Sequence, residues 1–280
     1  MISYEQLIKR FDWIPIYKEL AQKLLNYKNN RKELLNIIKR MQQNNLKCVK
    51  TVDRDKNNNK IELRDIDPFT FYGNFNMNAT VENRIATLRY IKDALKLEAS
   101  LPTNFDGIPI SNAQKLWYFA YERDRDVNDL NKLWNLFEKT LLKTDISQEF
   151  DDCLKINQVR YNLTTGLYWI DPDTFMPCDT NTRDYLTQQL HLPPNYFFDF
   201  SYKVYVDILD MIKQDPKLSN FSYPEISYVA IGGELDSPQV SIENTTRIDE
   251  RLSKNTILYG PPGTGKTYHT KELALKLIGE

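Results

Sequence analysis

The segment Gly260-Pro261-Pro262-Gly263-Thr264-Gly265-Lys266-Thr267 satisfies G-x-x-x-x-G-K-[ST] at every fixed position. This motif constrains the fold because it works only between a strand and a helix. Thr256 to Tyr259 before it reads as a short buried strand. Tyr268 to Ile278 after it reads as a helix with Leu273, Leu275, Leu277 and Ile278 apolar. A strand feeding a helix through such a loop aims backbone N–H groups and the positive helix end at a polyphosphate. The expected nucleotide contacts are Gly260 to Thr267 together with Tyr268. Lys266 reaches the β- and γ-phosphates, and Thr267 places its hydroxyl on Mg²⁺, so the implied cofactor is ATP or GTP with Mg²⁺. Hydrolysis further requires a second strand bearing an acidic residue and a group that positions water. The sequence given reaches Glu280 without them. The expectation is a module truncated after its first helix, with no catalytic residue in this chain and no turnover by the chain alone.

The rest of the composition narrows the class. Only two histidines accompany Cys48, Cys153 and Cys178, and no C-x-x-C spacing occurs, which argues against zinc and against a disulfide framework. No apolar run approaches the ~20 residues of a membrane span. Met1-Ile2-Ser3-Tyr4-Glu5-Gln6 lacks the basic start and apolar stretch of a signal peptide. The expected location is cytoplasmic, with no membrane partner. The net charge of −1 conceals an asymmetry. Residues 1–64 hold 15 Lys and Arg against 7 Asp and Glu, a local charge of +8, and the remainder carries −9. A basic arm suits contact with nucleic acid. Solvated helix faces produce the same count.

Periodicity gives an α+β fold class: a mainly helical N-terminal domain with a small β element, followed by the first strand–P-loop–helix of an α/β domain. Residues 13–43 read as two amphipathic helices, with Pro15 near the start of the first. Asp53 to Lys60 reads as a polar surface loop, and Asp65 to Phe75 as an extended aromatic stretch. Thr80 caps a helix beginning at Val81, and Leu130, Leu133, Trp134 and Phe137 mark another. Gln158–Asn162 and Gly166–Ile170 read as two strands around a Thr164-Thr165-Gly166 turn. Helices are expected at Asn181–Leu190 and Phe198–Ile212. The expected domains are a recognition domain over 1–215, a linker over 216–250 and the P-loop module over 251–280. The first divides further into a basic helical region, 1–64, and an aromatic-rich region, 65–215. Candidate DNA contacts are Lys28, Arg31, Lys32, Lys39 and Arg40 on the first two helices. Tyr72 and Trp117 sit at loop edges where a ring stacks on a base or receives a flipped one, with core packing as the competing role of each.

Asn255-Thr256-Ile257-Leu258-Tyr259 running into the glycine-rich loop resembles the Walker A segment of McrB-type AAA+ proteins. Asp67-Pro68-Phe69-Thr70-Phe71, Asn104-Phe105-Asp106-Gly107-Ile108-Pro109, Leu133-Trp134-Asn135-Leu136-Phe137 and Gly166-Leu167-Tyr168-Trp169-Ile170-Asp171-Pro172 are similar to phrases in their N-terminal regions. The resemblance implies a DNA-recognition and nucleotide-binding portion of an NTP-driven restriction, or anti-phage defence, subunit. It implies DNA containing a modified cytosine as the partner, a homo-oligomeric ring, and a separate McrC-type nuclease. Walker B, the sensors and the arginine finger of that family have no counterpart in this sequence. Two other readings fit the same residues. One is a stand-alone DNA-binding or protein-interaction module with a vestigial P-loop, and the other an AAA+ ATPase of unfoldase or chaperone type.

Overall fold

Amphipathic stripes set the outer helices. Helix α1 (Ile14–Leu25) carries Pro15 in its first turn, where the missing N–H costs nothing, and buries Ile16, Tyr17, Leu20, Ala21 and Leu24. Helix α2 (Arg31–Gln43) buries Leu34, Leu35, Ile37, Ile38 and Met41. A short antiparallel hairpin follows, β1 (Val52–Arg54) and β2 (Lys60–Glu62), with Val52 opposite Glu62 and Arg54 opposite Lys60. Asp55 closes it by accepting the N–H groups of Asn57 and Asn59, and Asn58 takes a left-handed φ of 65°. The structure, a computed structural model, describes residues 10–77, 79–109 and 116–235.

Two helices have almost no exposed face, and the others pack around them. Helix α3 (Pro68–Asn76) buries all nine of its residues. Asp67 caps it by accepting from Phe69 and Thr70, and Pro68 occupies its first position. Helix α4 (Val81–Leu95) begins at Thr80, whose side chain accepts the Asn83 N–H. Helix α5 (Asp129–Leu141) buries Leu130, Leu133, Trp134 and Phe137. Helix α6 (Ser147–Leu154) leads to α7 (Asn162–Ile170), in which eight of nine residues are buried. Helices α8 (Thr180–Gln189), α9 (Tyr202–Gln214) and α10 (Tyr223–Ala230) complete the described elements, with one-turn 3₁₀ segments at Glu122–Asp124 and Leu218–Asn220. Helix α3 packs on α4, α5 and α7, and α1 packs on α7 and α5. A helix buried on every side belongs at the centre, and these two are there.

The architecture is mainly helical with one small two-stranded sheet among the described residues. Several local expectations change. The polar stretch from Asp53 to Lys60 is the tip of the hairpin, so the β element lies there. Of the two strands expected around Thr164-Thr165-Gly166, the first is a turn over 158–161 and the second lies within helix α7. Its β-branched and aromatic residues suggest a strand, but burial on every side overrides propensity. Gly166 admits the close approach of α3: a Cβ there would lie 2.6 Å from Cδ1 of Phe69. The extended stretch expected from Asp65 is largely α3.

The described residues all belong to one compact unit, residues 1–236. Residues 216–235, expected as the beginning of a linker, carry folded structure. Helix α10 packs on α8, Leu218 and Ile226 are buried, and Arg10 donates to the Glu234 carbonyl at 3.3 Å. Helix α2 packs on α4, so 1–64 and 65–215 share one core. The strand, P-loop and helix expected at 256–278 lie outside the described residues.

Candidate nucleic-acid interface

The basic face expected on α1 and α2 is largely paired. Lys28 Nζ meets Glu138 and donates to Asn135 Oδ1 at 2.9 Å. Arg31 bridges Asp65 at 3.1 Å and Asn131 at 2.8 Å, with its guanidinium 5.4 Å above the Trp134 ring. Lys39 pairs with Glu62, and its hydrogen bond holds that carboxyl below the usual range. Lys32 and Arg40 are exposed. Arg40 Nε donates to the Asn36 carbonyl at 3.2 Å. Three of the five cations therefore serve α5, the α3 approach and the hairpin.

Tyr72 is wholly buried in α3 and donates its hydroxyl to the Tyr17 carbonyl. Its ring packs between Tyr17, Phe75 and Trp169. It belongs to the core and has no face left for a base. Beneath it, Tyr17 donates to Asn76 Oδ1 at 2.7 Å. Arg84, itself buried, donates to the same oxygen at 2.8 Å and to the Phe75 carbonyl at 2.6 Å. Burial pushes the Tyr17 hydroxyl well above its ordinary range.

Trp117 stands differently. It is half-buried and lines a hollow of about 610 Å³ with Val49, Lys50, Val52, Leu116, Phe119, Tyr121 and Gln158. Its Nε1 donates to the Lys50 carbonyl at 3.2 Å, which ties the ring to the strand approach. The rings of Phe119 and Tyr121 follow at 4.9 and 5.6 Å from Trp117. Trp117, Phe119 and Tyr121 recur at a spacing of two, the period of extended chain, so they fall along one groove. Arg54 and Arg123 lie over the Tyr121 ring, 5.9 and 5.7 Å from its centroid.

A buried acid positions this aromatic strip. Asp53 on β1 is 1% exposed; it accepts the Glu122 N–H at 2.9 Å and pairs with Arg125 at 3.0 Å. Arg125 in turn lies 5.0 Å above Phe119. The latch fixes the hairpin against the segment that carries Tyr121. Arg123 is paired with Asp124, whereas Arg54 hydrogen-bonds Asn58, and among the described residues neither Arg54 nor Lys50 has an ion pair. A sequence-tolerant grip on nucleic acid needs rings for bases and free cations for phosphates. Trp117 and Tyr121 offer the rings, and Lys50 and Arg54 the cations. Of the expected stacking residues, Trp117 keeps that capacity. Tyr121, Lys50 and Arg54 join it; the alternation Trp117-x-Phe119-x-Tyr121 is a sequence signal for Tyr121, and none marks Lys50 or Arg54.

The expected nucleotide contacts, Gly260, Pro261, Pro262, Gly263, Thr264, Gly265, Lys266, Thr267 and Tyr268, lie outside the described residues. No helix among the described residues is long and apolar enough to cross a membrane. A family described as "Domain of unknown function (DUF8425)" matches residues 13–232, most of the chain and nearly all of the described unit. No curated protein and no solved structure matches the chain.

Proposed function

We propose that this chain, which belongs to the DUF8425 family, is the nucleic-acid-recognition and nucleotide-binding portion of an NTP-driven restriction subunit of the McrB-like AAA+ kind. The observation that carries the reading is the complete phosphate-binding motif Gly260–Thr267, in the same chain as a helical unit. In such a protein the loop holds ATP or GTP, with Thr267 on Mg²⁺ and Lys266 on the outer phosphates. The helical unit meets DNA through the groove of Lys50, Arg54, Trp117 and Tyr121. Cations there supply sequence-independent affinity, and choice of base, including a modified cytosine, rests on ring contacts. The whole protein would form a ring and work with a separate nuclease of the McrC type.

A stand-alone nucleic-acid-binding module has one observation in its favour. The described residues that line the groove all belong to the helical unit. Photo-crosslinking separates the two readings. With Mg²⁺ and an azido analogue of ATP or GTP, the proposal expects labelling that unlabelled nucleotide competes away and Lys266→Ala abolishes. Labelling indifferent to Lys266→Ala would overturn the nucleotide-binding role and leave the stand-alone module.

A further inference from the structure

A second hollow of about 570 Å³ adjoins the first and shares Leu116 and Gln158 with it. That volume falls within the range of small-molecule sites. Tyr118, Tyr161 and Trp169 give it aromatic walls, and Arg160 and Arg183 give it charge. Both guanidinium groups lie over the Tyr161 ring, with Cζ 4.7 and 3.6 Å from its centroid. Their hydrogen bonds go to neutral acceptors. Arg160 Nη2 donates to the Phe198 carbonyl at 3.4 Å, and Arg183 Nη2 to the Thr180 hydroxyl at 3.5 Å. The acid in the lining, Asp179, directs its two oxygens at the Asn181 N–H and the Thr182 hydroxyl. Two positive charges thus share one hollow without a carboxylate partner among the described residues.

The same wall holds two donors without acceptors. Nε1 of Trp169, a side chain only 1% exposed, and Nη1 of Arg183 are buried with no hydrogen-bond partner. A buried unsatisfied donor is costly, and more so on a charged group. On the rim, Gln158 and Arg160 hold left-handed φ angles of 77° and 31°, a conformation that non-glycine residues rarely adopt. Two guanidiniums without a carboxylate partner, set among aromatic side chains, select an anion with several acceptor oxygens.

We infer that this hollow binds a 5′-phosphorylated nucleotide, with its phosphate at Arg160 and Arg183 and its nucleoside in the rest of the hollow. Two guanidiniums match the multiple oxygens and double charge of a phosphomonoester better than a lone carboxylate. A free mononucleotide and the 5′-phosphorylated end of a strand present the same chemistry. The described residues of the site are distinct in sequence from the Gly260–Thr267 motif.

The test is calorimetric titration of the whole chain carrying Lys266→Ala, so that binding through the P-loop does not contribute. AMP, GMP and dCMP are compared with their nucleosides and with inorganic phosphate. At least one monophosphate should bind ten-fold or more tighter than its nucleoside. Arg160→Gln, a change at an exposed side chain, should weaken it ten-fold or more without shifting the unfolding midpoint, and Arg183→Gln should do the same to binding. Competition of the bound monophosphate by a 5′-phosphorylated oligonucleotide, but not by its 5′-hydroxyl counterpart, supports the site and assigns it to strand ends. Absence of competition by either supports it as a mononucleotide site. Equal binding of nucleoside and monophosphate, no monophosphate binding up to millimolar concentration, or full binding by Arg160→Gln would overturn the inference.

Discussion

Asp67 combines three roles in one side chain: it caps α3, it is wholly buried, and its Oδ2 has no hydrogen-bond partner. Burial raises its carboxyl from the ordinary carboxylate range to about 6, against the opposing effect of its hydrogen bonds to Thr70 and Phe69. The folded chain therefore holds this proton more tightly than the unfolded chain does. Its contribution to stability is fully present below about pH 4 and is lost as pH rises through about 6. Asp67→Asn keeps an effective cap and removes the charge. Urea unfolding at pH 4.5 and pH 7 should show the variant gaining on the wild type by on the order of 2 kcal/mol between those values. An identical pH dependence of the two chains would contradict the assignment. At Gly166 the cause is steric. Gly166→Ala drives a methyl against Phe69 and should cost about 1–3 kcal/mol in the same measurement. Neither role was read from the sequence, in which Asp67 falls in an expected extended stretch and Gly166 in an expected turn. Asp67-Pro68 is a helix-start signal, but the run of aromatics after it has no 3.6-residue stripe because α3 is buried on every face.

Elements with one apolar face were readable from periodicity, which is why α1, α2, α4 and α5 stand close to their expected positions. Elements without such a face were not. Helix α7 buries eight of nine residues, so its helical period is hidden, and Thr164, Thr165 and Gly166 weigh toward a strand. Helix α10 was obscured by composition. Pro224 and the nearby glycines suggest a linker, yet Pro224 sits in the first turn, and Ser222 and Glu225 form a capping box. Gly107, at φ 73°, lies where an added Cβ would be 2.6 Å from the Pro224 carbonyl oxygen, so the loop before residue 110 is shaped around α10. A chain ending at Asp215 removes the buried Leu218 and Ile226 and uncovers α8. It should lose several kcal/mol, at about 1.5–3 kcal/mol for each buried aliphatic side chain. A chain ending at residue 235 should retain the full cooperative transition. Equal stability of the two would show that α10 contributes nothing to the core.

At the scale of the molecule, charge and ring placement decide what surface is offered. The +8 of residues 1–64 is a count, and the fold distributes it: Lys28, Arg31 and Lys39 bind acids of other elements, while Lys50 and Arg54 remain beside Trp117 and Tyr121. A sequence count does not distinguish a paired lysine from a free one, so the candidate interface moves from the helical face to the groove. The most direct test of the account is a fluorescence-anisotropy titration of the whole chain with labelled DNA, single-stranded and duplex, with and without 5-methylcytosine, at 50 and 200 mM salt (concentrations chosen to bracket the steep range of phosphate-driven binding). The account predicts binding at low salt that falls steeply at high salt. Trp117→Ala should weaken it by about 1–3 kcal/mol through lost stacking. Lys50→Ala should weaken it across all sequences and reduce the salt slope by about 1. Lys28→Ala, whose side chain is paired with Glu138, should leave it unchanged. No binding at 50 mM salt, or binding that survives both groove substitutions and is lost with Lys28→Ala, would contradict the groove as the nucleic-acid interface.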